Sequence, residues 1–334
     1  MSAGSQITRF IRAHREVVLF GVLALTCAGF YLFQPGEQDR FMTVSNWRTI
    51  ANAISTDALM VVGMTLVIIA GGFDLSVGST LALAAIVTCK MIVAGWAIAV
   101  AVAAGLAIGA GVGAVNGFII TKVGVNPLIT TLGTMTIVRG VALVITQAQP
   151  VSGLPAAFGT MGESLRLTAT FDIPYPVLLM VVTVVGADLL LRHSRFLRQV
   201  YYVGGNEEAA RFCGIRVDWV RSFTYILTGL LAGAAGIVQA SQLTSGSANF
   251  GDRAELRVIT AVVIGGASLA GGEGTILGAF LGLLFVGIVE AGMSILDVSV
   301  YTKNVVLGTI LILAVSIDRI SLDKIRRMIH WFKT

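Results

Sequence analysis

The run AIAVAVAAGLAIGAGVGAVNGFII, Ala97 to Ile120, holds no charged residue and one side-chain amide, Asn116. About 20 apolar residues in a helix cross the hydrocarbon core of a bilayer. In lipid only helices and closed barrels satisfy their own backbone groups, and nothing here alternates polar with apolar as a barrel strand does. The run therefore reads as a membrane helix. Its glycines (Gly105, Gly109, Gly111, Gly113 and Gly117) permit close approach of a neighbouring helix.

The composition extends that reading to the whole chain. Of 334 residues, 56% are hydrophobic and 12% charged, and the mean hydropathy is +0.87. A soluble domain carries about 25% charged residues. Apolar segments recur at about 17–33, 51–70, 80–95, 97–120, 128–147, 175–191, 222–243, 258–270, 275–296 and 304–317. The expected fold is an all-α polytopic integral membrane protein, one domain over 1–334, with about ten transmembrane helices. Eight or twelve spans follow instead if a short segment is re-entrant.

Charge sets the orientation. Fifteen of the 23 Lys and Arg fall on one side, among them Arg9, Arg12, Arg15, Lys122, Arg192, Arg195, Arg198, Arg211, Arg216, Arg221, Arg319, Lys324, Arg326, Arg327 and Lys333. Cytoplasmic loops carry the Lys and Arg excess, so both termini are expected inside. No small-residue cleavage site follows the first apolar run, which reads as a retained helix. The segment 148–173, bounded by Pro150, Pro155 and Pro174, is expected outside, as is 244–257. The basic segment 192–221 is expected inside.

Several functions are excluded. The net charge of +5 comes without a basic stripe interleaved with aromatics, so no nucleic-acid partner is expected. Cys27, Cys89 and Cys213 suggest no disulfide framework. His14, His193 and His330 show no metal-ligand spacing. None of Lys90, Lys122, Lys303, Lys324 and Lys333 follows a phosphate-cradling glycine frame. No cofactor or ATPase site is expected in this chain, so an ATP-driven process requires a second polypeptide.

Two segments break the apolar pattern with glycine: Gly71-Gly72-Phe73-Asp74-Leu75-Ser76-Val77-Gly78-Ser79, and Gly271-Gly272-Glu273-Gly274. Broken helices and internal repeats are frequent in transporters. A third segment, Val203-Gly204-Gly205-Asn206-Glu207-Glu208-Ala209-Ala210-Arg211-Phe212-Cys213-Gly214-Ile215, lies in the basic loop. Asn206 suits a helix N-cap, Glu207 and Glu208 suit the first turn, and Gly214 suits the end. The helix it implies is either a solvated loop element or a docking element.

These segments, with Ala261 to Gly272, resemble in order and spacing the ribose-type sugar permeases of bacterial ABC importers, over residues 45 to 318. Phe73 stands where that family usually has an aliphatic residue. The resemblance implies a monosaccharide or similar small solute moved by alternating access across the bacterial inner membrane. It implies a partner ATPase subunit that binds ATP and Mg, a second permease chain and a periplasmic solute-binding protein. It assigns ATPase coupling to Gly204, Gly205, Asn206, Glu207, Glu208, Ala209, Ala210, Arg211 and Gly214. Two rival readings are a permease for branched-chain amino acids and a stand-alone ion-coupled carrier.

Polar residues within spans are candidates for the substrate pathway. Asp74 and Ser76 either cap the third span or meet substrate. Asn126, Thr130 and Thr134 give the fifth span a polar face, unless the hydroxyls bond their own helix. Asp57 and Arg139 line a vestibule or reach headgroups. Asp188 is placed to pair with Arg192. Glu290 has no local partner and faces either the pore or a second chain.

Overall fold

The computed structural model describes residues 15–33, 40–166 and 172–319. The terminal charges used above to orient the chain, from Arg9 and Arg12 to Lys324–Lys333, lie outside the described residues, as do His14 and His330. The helices are α1 (Arg15–Phe33), α2 (Val44–Ile69), α3 (Val77–Val93), α4 (Ile98–Phe118), α5 (Pro127–Thr146), α6 (Tyr175–His193), α7 (Gln199–Gly205), α8 (Glu207–Phe212), α9 (Val217–Leu243), α10 (Ala254–Ile264), α11 (Ile276–Ile295) and α12 (Val300–Arg319). Six of the described helices are long and apolar enough to cross a membrane: α2, α4 with its π turn to Val123, α5, α6, α9 and α11. Shorter apolar helices occupy Val17–Phe33, Val77–Val93 and Val300–Ser316.

Two helices begin well before their apolar stretch. Thr43 caps α2 by accepting from the Asn46 amide at 3.2 Å, so the polar turn with Asn46 and Arg48 is helical too. α9 starts at Val217, with Asp218 in its first turn. Hydropathy marks only the apolar stretch, and the capped helix continues past it.

α2 is apolar on nearly every side and is the buried centre of the bundle, as such a helix must be. α9 lies against it and against α4. A Cβ on Gly109 would strike the Gly229 carbonyl, one on Gly113 the Tyr225 carbonyl, and one on Gly117 would come within 2.9 Å of the Ser222 Cα. Here the glycine row permits direct backbone contact. The opposite face of α4, with Val100, Val115 and Phe118, is exposed.

Within the segment 148–173 the chain forms a small antiparallel hairpin, β1 (Ser164–Arg166) with β2 (Asp172–Pro174). Arg48 on α2 ties it down through Asp172 at 2.6 Å and the Ser164 hydroxyl at 2.9 Å. Three residues per strand are too few to leave an alternating signature in sequence.

Candidate functional site

The segment 203–215 is built as its residues suggest. Asn206 is extended, and its side chain accepts from the Ala209 amide at 3.0 Å, starting α8. Gly214, at φ +80°, turns the chain out of it. Glu207 accepts from Arg211 at 3.0 Å and pairs with Arg221 at 2.7 Å. Arg211 also reaches Asp218 at 2.7 Å, and Asp218 pairs with Lys122 at 3.1 Å. These exposed pairs are individually weak, on the order of 1 kcal/mol or less. Linked, they fasten α8 to the first turn of α9 and the end of α4. Partial burial pushes the Glu207 carboxyl up, but its bond to Arg211 and the charge of Arg221 outweigh that, leaving it below the usual glutamate value. Glu207 therefore holds its charge, and its contribution is lost only as pH falls through that lowered value.

Ala210 packs inward, whereas Glu208 and Ala209 face solvent. Phe212 is 91% exposed. Beside it Tyr201, Tyr202, Asn206, Ala209, Cys213 and Ile215 line a cleft of about 410 Å³.

Directly behind α8, three glycine pairs meet. The Gly272 amide donates to the Ile69 carbonyl at 2.8 Å, closing the end of α2 onto the α10–α11 link. Gly204 fills the space between them: a Cβ there would collide with the Ile69 carbonyl and stand 2.7 Å from the Gly272 nitrogen. Gly71 and Gly271 lie on the same spot, the latter 3.1 Å, by its would-be Cβ, from the Gly71 Cα. Tyr201 on α7 donates to the Gly274 carbonyl at 2.8 Å. The three segments singled out separately in the sequence are thus one junction. Tyr201 and Arg221, the latter reaching the Ala70 carbonyl at 3.5 Å, were not expected in it, because nothing local to them marks a distant partner.

Asp74 and Ser76 sit at the break between α2 and α3, each 1% exposed. One Asp74 oxygen accepts from the Ser76 amide at 2.9 Å and hydroxyl at 2.6 Å, and Asn116 on α4 donates to that hydroxyl at 2.9 Å. Tyr225 donates to the Phe73 carbonyl at 3.2 Å. Asp74 thus closes a turn onto Ser76 just before α3, and no side chain bonds the first-turn amides of that helix. Asp74→Ala is expected to destabilise the protein by roughly 1–3 kcal/mol, the cost of stranding buried donors. Asp74→Asn, which keeps an accepting oxygen, should lose less. Melting of the detergent-purified protein checks this, and equal melting points would exclude it.

On α5, Asn126 caps the first turn by accepting from the Leu128 amide at 2.9 Å. Thr130 donates to the Asn126 carbonyl at 3.1 Å and is buried, and Thr134 is half-buried. Asp188 pairs with Arg192 at 2.6 Å as its spacing suggests.

The segment after α9 departs from expectation. Leu243 ends α9 opposite α8, and 244–257 was expected to stay outside. Instead the chain turns back along α3. A Cβ on Gly246 would lie 2.9 Å from the Cys89 sulfur, and one on Gly251 would lie 2.9 Å from the Gly78 Cα. Eleven helical positions separate Cys89 from Gly78, a descent of about 16 Å. Arg139 of α5 holds this segment by donating to the carbonyls of Ala248, Phe250 (2.8 Å) and Gly251 (3.4 Å). α10 follows this run of turns. At its start Arg257 pairs with Asp57 of α2 at 3.4 Å and approaches Glu290 of α11 at 4.0 Å. Glu290 therefore has a partner, but one 33 residues away in sequence.

Comparison with known proteins agrees with these segments. A family model described as "Branched-chain amino acid transport system / permease component" matches residues 46–315. The ribose import permease protein of Escherichia coli strain K12 is 41% identical over 282 residues, 83% of this chain and 87% of the relative. The L-arabinose transport system permease protein of the same strain is 39% identical over 303 residues, 91% of this chain and 89% of the relative. The D-allose transport system permease protein of that strain is 34% identical over 302 residues, 90% of each. No solved structure matches the chain. With the segment 203–215 and both glycine breaks in place, and with the match running through nearly all of its helices, the chain belongs to the ribose-type permease family of ABC importers.

Proposed function

We propose that the chain is the membrane-spanning subunit of an inner-membrane ABC importer that carries a monosaccharide or a similar small polyol. The observation that carries this is its similarity, at 34% to 41% identity, to ribose, arabinose and allose permeases over more than four-fifths of its length. Those relatives favour a sugar over a branched-chain amino acid. In this reading ten crossings leave both ends in the cytoplasm. Lys122, Arg192, Arg195, Arg198, Arg211, Arg216 and Arg221 all lie at the α8 end and support that orientation.

The chain performs no covalent chemistry. A separate ATPase binds ATP and Mg and docks on α8. A second permease chain completes the pathway, and a periplasmic receptor delivers the solute. Closure of the ATPases displaces α8, and the junction at Gly204 passes that displacement to α2 and to the α10–α11 link. Phe212 and the cleft beside it offer the ATPase an aromatic anchor and a recess, the combination that concentrates binding energy at interfaces.

The test is reconstitution with ATPase, receptor and any second permease chain. ATP-dependent uptake of a pentose or hexose is expected. Uptake of equal rate from an ion gradient without the ATPase would overturn the reading. Phe212→Ala should weaken ATPase association by about tenfold or more, as loss of an anchor residue does. Being almost wholly exposed, the side chain can be removed without a change in melting temperature. Unchanged association would remove α8 from the docking surface.

A further inference from the structure

Arg221 stands on the second turn of α9 with its guanidinium between two other elements. Nη1 pairs with Glu207 of α8 at 2.7 Å. Nε points at the carbonyl of Ala70, the residue that ends α2, at 3.5 Å. The last carbonyls of a helix have no donors within it, and the negative end of the helix dipole favours a cation there. A guanidinium serves both partners at once because its donors form a rigid fork. One turn further along α9, Tyr225 donates to the Phe73 carbonyl at 3.2 Å, and its hydroxyl fills the place that a side chain on Gly72 would need. One face of α9 therefore holds both ends of the break at 70–73, and Asp74 follows directly.

The other described ion pairs of α8 lead elsewhere. Arg211 joins it to Asp218 at the start of α9, and Asp218 goes on to Lys122 at the end of α4. Neither pair touches α2. Gly204, at the end of α7, does touch it, with no room for a Cβ beside the Ile69 carbonyl. A packed contact of that kind resists approach but offers little against withdrawal, because dispersion fades within an ångström. An ion pair resists separation over a longer range. α8 thus pushes on the end of α2 through Gly204 and pulls on it through Glu207 and Arg221.

We propose that Arg221 is a positioning residue for transport, which draws the α2–α3 break after α8 in the stroke that takes α8 away from α2. The proposal rests on the importer reading and adds the return half of the motion that Gly204 passes on. Loss of Arg221 leaves the chain able to be pushed but not to be reset by its ATPase.

The test uses Arg221→Gln in the chain assembled with its ATPase, receptor and any second permease chain. Arg221 is 27% exposed and lies behind α8, so association with the ATPase should not change. Sugar moved per ATP hydrolysed should fall about fivefold or more, the lower end of typical coupling between two sites. Arg221→Lys should fall as far, because a point charge lacks the fork that spans both partners. Asp218→Asn is the contrast. It loosens α8 from α9 and α4 without touching α2, and its ratio should match that of the unaltered chain.

Hydrogen exchange supplies a readout that needs no cargo. Addition of ATP should change the protection of residues 70–76 in the unaltered chain. In Arg221→Gln that change should vanish, while the ATPase still protects α8. Equal falls in Arg221→Gln and Asp218→Asn would mean that any loosening of α8 suffices, and an unaltered response of 70–76 in Arg221→Gln would mean that the glycine junction acts alone. Either result overturns the proposal. Should the ATPase leave α8 of the unaltered chain unprotected, the importer reading itself falls, and the proposal with it.

Discussion

Gly204→Ala abolishes ATP-driven uptake, and Gly205→Ala leaves it close to that of the unaltered chain: this pair carries one of the two largest expected effects. The residues are neighbours at the end of one short helix, so the contrast cannot come from helix propensity. It comes from what a methyl group meets. At Gly204 the new carbon would collide with the Ile69 carbonyl and stand 2.7 Å from the Gly272 nitrogen. Both are backbone atoms and cannot rotate away. They are also the two partners of the 2.8 Å hydrogen bond that closes α2 onto the α10–α11 link. Inserting the methyl forces that bond apart. Overpacking of this kind costs typically 1–3 kcal/mol, and the lost hydrogen bond adds about 1 kcal/mol. At Gly205 the nearest atom is the Gly272 Cα at 4.0 Å, an ordinary contact. Uptake in reconstituted vesicles and the melting temperature in detergent measure the contrast. Gly204→Ala should melt lower by several degrees and transport nothing, and equal behaviour of the two variants would mean that the junction yields.

The three glycine pairs of this junction were all visible in the sequence, but only as separate breaks. Their meeting was not legible. Backbone-to-backbone approach needs the absence of a side chain, and absence carries no partner information. The cap at Asn206 and the turn at Gly214 were legible because capping is local, set within three or four residues. Apolar segments were legible for a similar reason: crossing lipid is a property of each helix alone. The course of 244–253 was not. Thr244, Ser245, Ser247, Asn249 and Asp252 are the residue types of an outer loop, and only the placement of Gly251 against Gly78 shows that the segment turns inward. One clue was present in Arg139, an arginine within an apolar helix. Such a residue needs a partner, but its partners are carbonyl oxygens, which every residue has. Asp57 and Glu290 were legible as charges within apolar segments, whereas Arg257 was read as the last residue of the outer segment 244–257. Their pairing joins α2, α10 and α11 and has no spacing rule to reveal it.

The packing of α4 on α9 supplies the other large effect, again as a contrast within two residues. Gly113→Leu should prevent folding, whereas Gly111→Leu should be accepted. Both glycines lie in the same uncharged run. A Cβ on Gly113 would enter the Tyr225 carbonyl and stand 2.9 Å from the Ile226 Cα, so a leucine would have to push the two helices apart. Gly109 and Gly117 approach α9 on the same row, and separation at one position opens all three contacts. Dispersion between closely packed helices is what holds them together in lipid, since lipid tails are as apolar as the side chains. The loss is expected to reach about 3 kcal/mol or more, at the upper end for overpacked cores. Tyr225 would move with α9, and with it the hydroxyl that holds the Phe73 carbonyl at the helix break. Gly111 faces the other way: nothing lies within 4 Å of its would-be Cβ. A leucine there meets lipid, where insertion of that side chain is favourable by a few tenths of a kcal/mol. The yield of monodisperse protein in size-exclusion chromatography decides between them. A normal yield of Gly113→Leu would show that α4 and α9 can separate without loss of the fold, and the glycine row would then be a feature of composition and not of packing.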